Sequence, residues 1–349
     1  MDFQFTPFDP ATATANAWQA LHILENQGQA EEYPEDPPVT LDFVMRRWRN
    51  QPTYVDRRTW LVVAGPEHTP AGRGSVETWN IEENRHAASF SIYVSPAYRR
   101  QGLARRLLAE IVPVAQERGR RLLLSWDTDA MPAGAAFLTH LGAQPALVAH
   151  FSQLVIADLD RQLLAAWIAR ARERAGDLEL HTWDGPYPEA ELLAVARLAE
   201  VMNTAPRGDL DIEDEHLTPE RLRDWEAQMR ARGDERWSLY IRDPVDGGLA
   251  GYTQVVWNPG QPTVVWQWET GVVPAYRNRG LGRWLKAAML DRIVRERPEA
   301  RFVRTDNAQV NAPMLKINFE LGFRPRARWT NWQVATDTVA QYLAGAAAL

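Results

Sequence analysis

The chain has 349 residues, of which 45% are hydrophobic and 24% are charged, with a formal net charge of −6 and no cysteine. This length suits two domains better than one core, and the lack of cysteine excludes disulfides, thiolate catalysis and cysteine-ligated metals. The sequence has no apolar run of membrane-spanning length and no secretory leader, and its negative charge opposes nucleic acid. We therefore expect a cytoplasmic protein that binds neither membranes nor nucleic acid.

The sequence contains one unit twice. Residues 94–107 and 272–285 are identical at nine of fourteen positions at an offset of 178. The similarity continues at an offset of 180, where residues 121–143 align with residues 301–323. The repeat predicts a duplicated domain, with one domain over residues 1–175 and the other over residues 176–349.

The predicted elements follow the same order in each half. A first helix is expected over residues 12–26 and 188–203, and a second over 41–50 and 219–231 after the N-caps Thr40 and Thr218. Strands are expected at 59–64, 74–79 and 88–94 in the first half, and at 237–242, 251–257 and 264–273 in the second. Each half continues with a long helix from Gly102 or Gly280, a strand at 121–126 or 301–305, a short helix, a last strand and a terminal helix. The terminal helix of the first half, Asp158–Arg174, joins the halves. Each half is thus predicted to be an α+β unit with a mixed sheet.

A turn rich in arginine and glycine precedes the long helix in both halves. It reads Arg99-Arg100-Gln101-Gly102-Leu103-Ala104 in the first copy and Arg277-Asn278-Arg279-Gly280-Leu281-Gly282 in the second. A pyrophosphate needs free backbone N–H groups at a helix start, room beside a glycine and charge-assisted contacts from arginine. A small residue two positions after the glycine lets the helix pack on the strand. The pattern therefore predicts a phosphate-binding turn in each half, and the lack of Gly-x-Gly-x-x-Gly disfavours a dinucleotide fold.

These turns resemble the acyl-CoA-binding motif of the GNAT superfamily of N-acetyltransferases. Residues 311–323, which end in Leu-Gly-Phe, resemble the helix and turn beyond the cofactor cleft of that family. The doubled unit is similar to the layout of tandem GNAT proteins such as mycothiol synthase. The resemblance implies two GNAT-like domains, each a splayed mixed sheet flanked by helices, with acetyl-CoA as co-substrate and no metal. The cofactor-binding residues that it implies are Val94, Arg99, Arg100, Gln101, Gly102 and Ala104 in the first half, and Val272, Val273, Arg277, Asn278, Arg279, Gly280, Leu281, Gly282, Asn307 and Asn311 in the second.

The second half carries the stronger catalytic candidate. Glu269 lies on the strand before the turn, where GNAT enzymes often place a general base, and its counterpart in the first half is Ser91. Only about one part in 2,500 of an alkylammonium is neutral at pH 7, so proton removal needs a base. The alternative is a polar residue on an exposed strand face. For Asn307 and Asn311, the alternative to cofactor contact is helix capping, which Asn307 or Asp306 could supply before the short helix that follows.

The resemblance leaves the general acid open. Many family members have a tyrosine three residues before the Leu of Leu-Gly-Phe, but this chain has Asn318 there. The alternative proton donors to the leaving thiolate are water, Tyr252 and Tyr276. Backbone N–H groups near Val272 or Val273 are expected to hold the developing oxyanion.

The function that the resemblance implies is transfer of an acetyl group from acetyl-CoA to a primary amine of a small molecule or peptide, by direct attack in the second domain. The first domain either binds CoA without chemistry or serves as scaffold. The acidic run Asp209–Glu215 either attracts a cationic acceptor or is a solvated surface segment. The alternative function is a non-catalytic acyl-CoA-binding sensor or regulator, and the protein is expected to be a monomer or homodimer.

Overall fold

The computed structural model describes residues 2–345, which form twelve strands and ten α-helices. The strands are β1 Phe3–Phe8, β2 Val55–Ala64, β3 Thr69–Trp79, β4 Ala87–Val94, β5 Leu122–Thr128, β6 Gln144–Val155, β7 Glu179–Asp184, β8 Glu235–Arg242, β9 Leu249–Trp257, β10 Val264–Val272, β11 Phe302–Ala308 and β12 Arg324–Ala335. The helices are α1 Ala15–Glu32, α2 Leu41–Arg49, α3 Leu103–Glu117, α4 Ala133–His140, α5 Arg161–Ala175, α6 Leu192–Ala199, α7 Pro219–Arg232, α8 Leu281–Glu296, α9 Ala312–Glu320 and α10 Thr336–Gly345. Within residues 2–345, no helix is long and apolar enough to cross a membrane.

The predicted α+β class with two mixed sheets is confirmed. The elements form two compact units, and the described part of unit 1 consists of residues 2–148, 208–213 and 328–345. Unit 2 consists of residues 149–207 and 214–327. The strand order is β1-β2-β3-β4-β5-β12 in unit 1 and β7-β8-β9-β10-β11-β6 in unit 2. The β4–β5 and β10–β11 pairs are parallel and the other pairs within each unit are antiparallel.

The units differ from a single division near residue 175, because each takes its last strand and helix from the other half of the sequence. Strand β12 pairs with β5, and α10 packs on α3 in unit 1. The β6 residues from Ala149 onward pair with β11, and α5 packs on α8 in unit 2. The registers are equivalent, since Gln333 lies opposite Leu124 and Gln153 lies opposite Arg304. Leu124 and Arg304 are related by the same offset of 180 as Gln153 and Gln333. The repeat alone therefore could not predict which strand pairs with which.

Two apolar layers cover each sheet. In unit 2 one layer contains Leu285 and Leu290 of α8, and the other contains Val195 of α6 and Leu222 of α7. In unit 1 the corresponding layers lie under α3 and α10, and under α1 and α2. Burial on both faces explains the near-continuous apolar sequence of the central strands.

The predicted threonine caps are confirmed, and two strands were missed. Thr40 Oγ1 accepts the N–H of Phe43, and Thr218 Oγ1 accepts the N–H of Arg221. The edge strands β1 and β7 precede the first helix of each half and were not predicted. The alternation of Phe3 and Phe5 with polar residues is the signal that indicates β1.

The exchanged strand of unit 2 carries a buried polar contact. Arg304 is fully buried, and its Nε donates to Oε1 of Gln153 at 2.8 Å. Gln153→Leu leaves this buried cation short of an acceptor, so we expect a loss of about 2 kcal/mol in the free energy of unfolding. Urea titration followed by circular dichroism measures the loss.

Gln333→Leu is the matched control in unit 1. Gln333 bonds only to the exposed backbone of Asp209 and Asp211, so its replacement is expected to cost less than about 1 kcal/mol. Equal losses in the two variants would contradict the role given to Arg304.

Candidate functional site

A cleft opens in unit 2 where two parallel strands separate. Strands β10 and β11 pair only from Val264 to Trp266 on one side and from Phe302 to Arg304 on the other, although both continue further. Strands β4 and β5 of unit 1 also pair over only three residues each before they separate. We call the opening between β10 and β11 the unit 2 cleft. A splayed sheet of this kind leaves backbone groups of the diverging strands without a strand partner.

The alternating hydrogen-bond pattern between β9 and β10 directs one backbone N–H into this cleft. Val272 lies opposite Gly251 of β9, while the N–H of the next residue, Val273, donates to the carbonyl of Ala250 at 2.9 Å. In an antiparallel ladder this pattern marks Val272–Gly251 as a non-hydrogen-bonded pair, so the Val272 N–H points away from β9 and toward the cleft. Of the two residues predicted to hold an oxyanion, Val272 has the suitable direction, and the Val273 N–H is already used.

An extra residue in β10 places two side chains on one face of the sheet. The register with β9 shifts between Gln267 and Thr270, and both of these side chains bond to the hydroxyl of Thr253, at 3.0 and 2.7 Å. They therefore share the Thr253 face, whereas regular alternation would separate them. The two residues between them, Trp268 and Glu269, are left to the opposite face.

Glu269 has a buried carboxylate oxygen that lacks a partner. Its Oε2 accepts no hydrogen bond from any residue that the structure describes. Burial raises the pKa of the Glu269 carboxyl, and the negative charges of Glu215 and Asp306 raise it further, while Arg236 opposes them. The structure therefore does not support the alternative, in which Glu269 is a polar residue on an exposed strand face. A buried carboxyl with a raised pKa is suited to accepting a proton.

The two tyrosines predicted as alternative proton donors have different surroundings. Tyr252 is buried opposite Gly271, and its pKa is raised well above the usual value by burial and by the charge of Glu269. Tyr276 donates its hydroxyl to Asp243 Oδ2 at 3.0 Å. Of the two, Tyr252 is the one that interacts electrostatically with Glu269, as the buried Tyr187 also does, while Tyr276 is held by a different carboxylate.

The turn before α8 has left-handed backbone at two positions. Asn278 and Gly280 have φ angles of +64° and +84°, and α8 begins at Leu281. A Cβ built on Gly280 meets no atom within 4 Å in the described structure, so the space beside this helix start is open. Arg100 and Gly102 repeat the conformation in unit 1, with φ angles of +63° and +79°. Both turns thus present unpaired N–H groups of a helix start beside a glycine.

The side chains of the turn bind the protein itself. Arg277 donates to the carbonyl of Val272 at 3.0 Å and to Thr204 Oγ1 at 2.7 Å, and Arg279 donates to the carbonyl of Ala175 at 2.8 Å. In these positions the two guanidinium groups brace the turn. A Cβ built on Gly282 would lie 3.4 Å from the side chain of Ile317 of α9. The small residue therefore makes room for α9, whereas the sequence predicted that it lets the helix pack on the strand.

The equivalent turn residues of unit 1 are similarly engaged. Arg99 donates to the carbonyl of Val94 at 3.0 Å and to both oxygens of Glu31 at 2.7 Å. Gln101 donates to the carbonyl of Ala97 at 3.4 Å, and Ala104 follows in the first turn of α3. The Val94 N–H points away from β3 because Ser95 N–H donates to the carbonyl of Ala71, as in unit 2.

The two asparagines predicted to contact the cofactor have protein partners. Asn311 is the N-cap of α9 and accepts the N–H of Met314 at 3.4 Å, so the capping role belongs to Asn311 and not to Asn307 or Asp306. Asn307 Oδ1 accepts from Nδ2 of the buried Asn318 at 2.5 Å. Asn318, which stands where the family resemblance would place a general-acid tyrosine, therefore holds the side chain of Asn307.

Unit 1 lacks the carboxylate and the extra residue. Strand β4 pairs with β3 without a register shift from Ser89 to Val94, and Ser91 stands where unit 2 has Glu269. Tyr93 occupies the position of Gly271, and its hydroxyl donates to Glu31 at 2.7 Å. The corresponding face of unit 1 is therefore filled by its own side chains.

Comparisons with known proteins agree with this geometry. The model of the Acetyltransferase (GNAT) family matches residues 18–142 and 197–318, which is more than half of the chain. A tandem GNAT protein from the clavulanic acid biosynthesis pathway superposes with a TM-score of 0.79 at 24% identity, covering 96% of this chain and 99% of that one. A GCN5-related N-acetyltransferase from Sphaerobacter thermophilus gives a TM-score of 0.66 at 16% identity, with 96% of each chain covered. A search of curated proteins finds no match.

The burial of Glu269 predicts a pH-dependent stability. A carboxyl whose pKa is raised on folding destabilises the native state once pH exceeds its ordinary pKa, and this penalty is absent at lower pH where the group is protonated in both states. Glu269→Gln should therefore raise the free energy of unfolding at pH 7.5, and the gain should vanish near pH 4. Urea titrations at the two pH values measure it.

Glu299→Gln provides the control, because Glu299 is an exposed glutamate of the same unit. It should change stability little at either pH. A Glu269→Gln gain that persists undiminished at pH 4 would contradict the assignment of a raised pKa.

Proposed function

The chain belongs to the GNAT family of acetyltransferases, and on that basis we propose that unit 2 moves an acetyl group from acetyl-CoA to a primary amine of a small molecule or peptide. The single observation that carries this proposal is the buried, unpartnered oxygen of Glu269 on the strand whose Val272 N–H points into the cleft. A proton acceptor and an oxyanion donor on one strand are the two groups that direct aminolysis of a thioester requires.

The residues present fit the proposed co-substrate. The open space beside Gly280 and the N–H groups at the start of α8 would hold its pyrophosphate, and the edge of β10 would hold the acyl end. When bound, acetyl-CoA supplies the activated acetyl group. Arg277 and Arg279 support the turn from behind by their bonds to Val272 and Ala175.

Glu269 prepares the amine for attack. At pH 7 an ordinary alkylammonium is almost entirely protonated, so removal of its proton accounts for a large part of the barrier. The raised pKa of Glu269 brings the carboxyl closer to the working pH, where a base both remains ionised and holds a proton well. The Val272 N–H then stabilises negative charge on the thioester oxygen, in a position that needs no rearrangement.

Tyr252 is the proposed proton donor to the leaving thiolate. It lies opposite Gly271, and burial together with the charge of Glu269 raises its pKa, so it is protonated at neutral pH. Tyr276 and Asn318 are less suitable because they are bonded to Asp243 and Asn307.

For unit 1 we propose acyl-CoA binding without transfer. The turn of Arg100 and Gly102 has the same backbone as that of Asn278 and Gly280, which supports retention of a phosphate site. Ser91 in place of a carboxylate, and the Tyr93–Glu31 contact, support the lack of chemistry.

Glu269→Gln tests the base. We expect kcat to fall by about 10²–10⁴-fold with a reactive amine, because the amide cannot accept the proton, while the affinity for acetyl-CoA stays the same. The acidic limb of the pH–kcat profile, which should lie above the usual range of a glutamate, should disappear. Thiol release in steady state measures the rate, and an unchanged rate would refute the role of Glu269.

Gly280→Trp and Gly102→Trp test which turn serves catalysis. Each tryptophan projects into the open space beside its helix, where the backbone also disfavours a side chain at positive φ. We expect Gly280→Trp to abolish turnover and Gly102→Trp to preserve it. Isothermal titration with acetyl-CoA should show one binding event fewer in each variant, and the reverse pattern of turnover would assign the chemistry to unit 1.

A further inference from the structure

An aromatic pair stands directly beside Glu269. The rings of Trp268 on β10 and Trp225 on α7 lie with their centroids 5.2 Å apart at an interplanar angle of 40°. Both rings remain partly exposed. Because the extra residue of β10 turns Trp268 and Glu269 to the same face, the two rings lie on the face of the sheet that carries the carboxylate.

Positive charge already occupies the Trp225 side of this face. Glu226 is buried and accepts from Arg236 at 2.7 Å and from Arg223 at 2.6 Å. The Arg236 guanidinium lies 5.5 Å from the ring of Trp225. A second ammonium group beside Trp225 would be repelled by this guanidinium.

The acidic run Asp209–Glu215 is partly neutralised where it enters unit 2. Asp214 and Glu215 belong to this unit, and they pair with Arg207 and Arg221, respectively. The negative charges of Glu215 and of Asp306 nevertheless act on Glu269. The expectation that the acidic run attracts a cationic acceptor stays a prediction.

Resting on the proposed function, we propose that the acceptor is a primary amine on a flat apolar body, which packs against Trp225 and Trp268 while the amine reaches Glu269. A flat ring gains from offset or edge contact with aromatic side chains, and an ammonium gains from a tryptophan face. Polyamines and aminoglycosides, which offer little flat surface, do not fit.

The test compares three amines of different form: 2-phenylethylamine, n-butylamine and spermidine. Isothermal titration into the protein saturated with CoA gives affinities whether or not turnover occurs. We expect 2-phenylethylamine to bind at least about tenfold more tightly than the other two. Trp225→Leu should weaken it by about three- to tenfold and leave n-butylamine unchanged, since only the flat ring loses its contact.

Trp126→Leu is the matched control. Trp126 forms a similar tilted pair with Trp329 in unit 1, with ring centroids 5.4 Å apart at 39°. Its replacement should leave all three affinities unchanged. Tighter binding of spermidine, equal binding of the three amines, or equal effects of the two substitutions would overturn the inference.

Turnover separates this inference from the proposed function. If 2-phenylethylamine binds in a Trp225-dependent way and no amine is acetylated, the preference for a flat amine stands and the proposed acetyl transfer fails. If spermidine is acetylated with the highest kcat/KM, acetyl transfer stands and the inference fails.

Discussion

Strand β10 carries one residue more than its partner β9 between Gln267 and Thr270, and the chemistry proposed for unit 2 depends on that residue. With regular alternation, either Trp268 or Glu269 would face the apolar layer under α8, where a carboxylate would be costly to bury. The shift sends both to the other face and keeps Gln267 and Thr270 bonded to Thr253. The same strand then resumes its ladder, so that Val272 presents its N–H to the cleft. One irregularity thus combines a carboxylate, an aromatic surface and a backbone donor within six residues.

The two units share a backbone but not this irregularity. The turns at residues 99–102 and 277–280 have nearly the same φ angles, and both begin a long helix beside open space. The difference lies on the opposite face of each sheet. In unit 1 the regular strand β4 places Tyr93 against Glu31, which is itself neutralised by Arg99, and the polar groups satisfy each other. In unit 2 the corresponding face keeps an unsatisfied oxygen, and an unsatisfied buried group is a feature of sites that bind something else.

The sequence was enough to predict the two mixed sheets and the threonine caps, because the repeated order of elements and the cap residues can be recognised in contiguous segments. Glu269 was found by comparing the copies, although its burial was not. The partner of each last strand could not be predicted, since Gln153 and Gln333 occupy equivalent positions and either strand fits either sheet. The actual contacts of Arg277, Arg279 and Asn307 also escaped prediction. The sequence does not distinguish a long polar side chain that contacts a ligand from one that contacts a carbonyl of its own chain.

The exchanged strand and helix give the chain an order of assembly. During synthesis, β1 to β5 emerge first, but the strand that completes their sheet lies at residues 328–335, after nearly all of unit 2. The edge of β5 therefore stays unpaired while about two hundred further residues are added, and an unpaired edge beside an apolar layer invites association with other chains. Unit 2 has its own last strand, β6, in place before its remaining strands appear. Unit 2 is thus able to close its sheet before unit 1, although unit 1 begins the sequence.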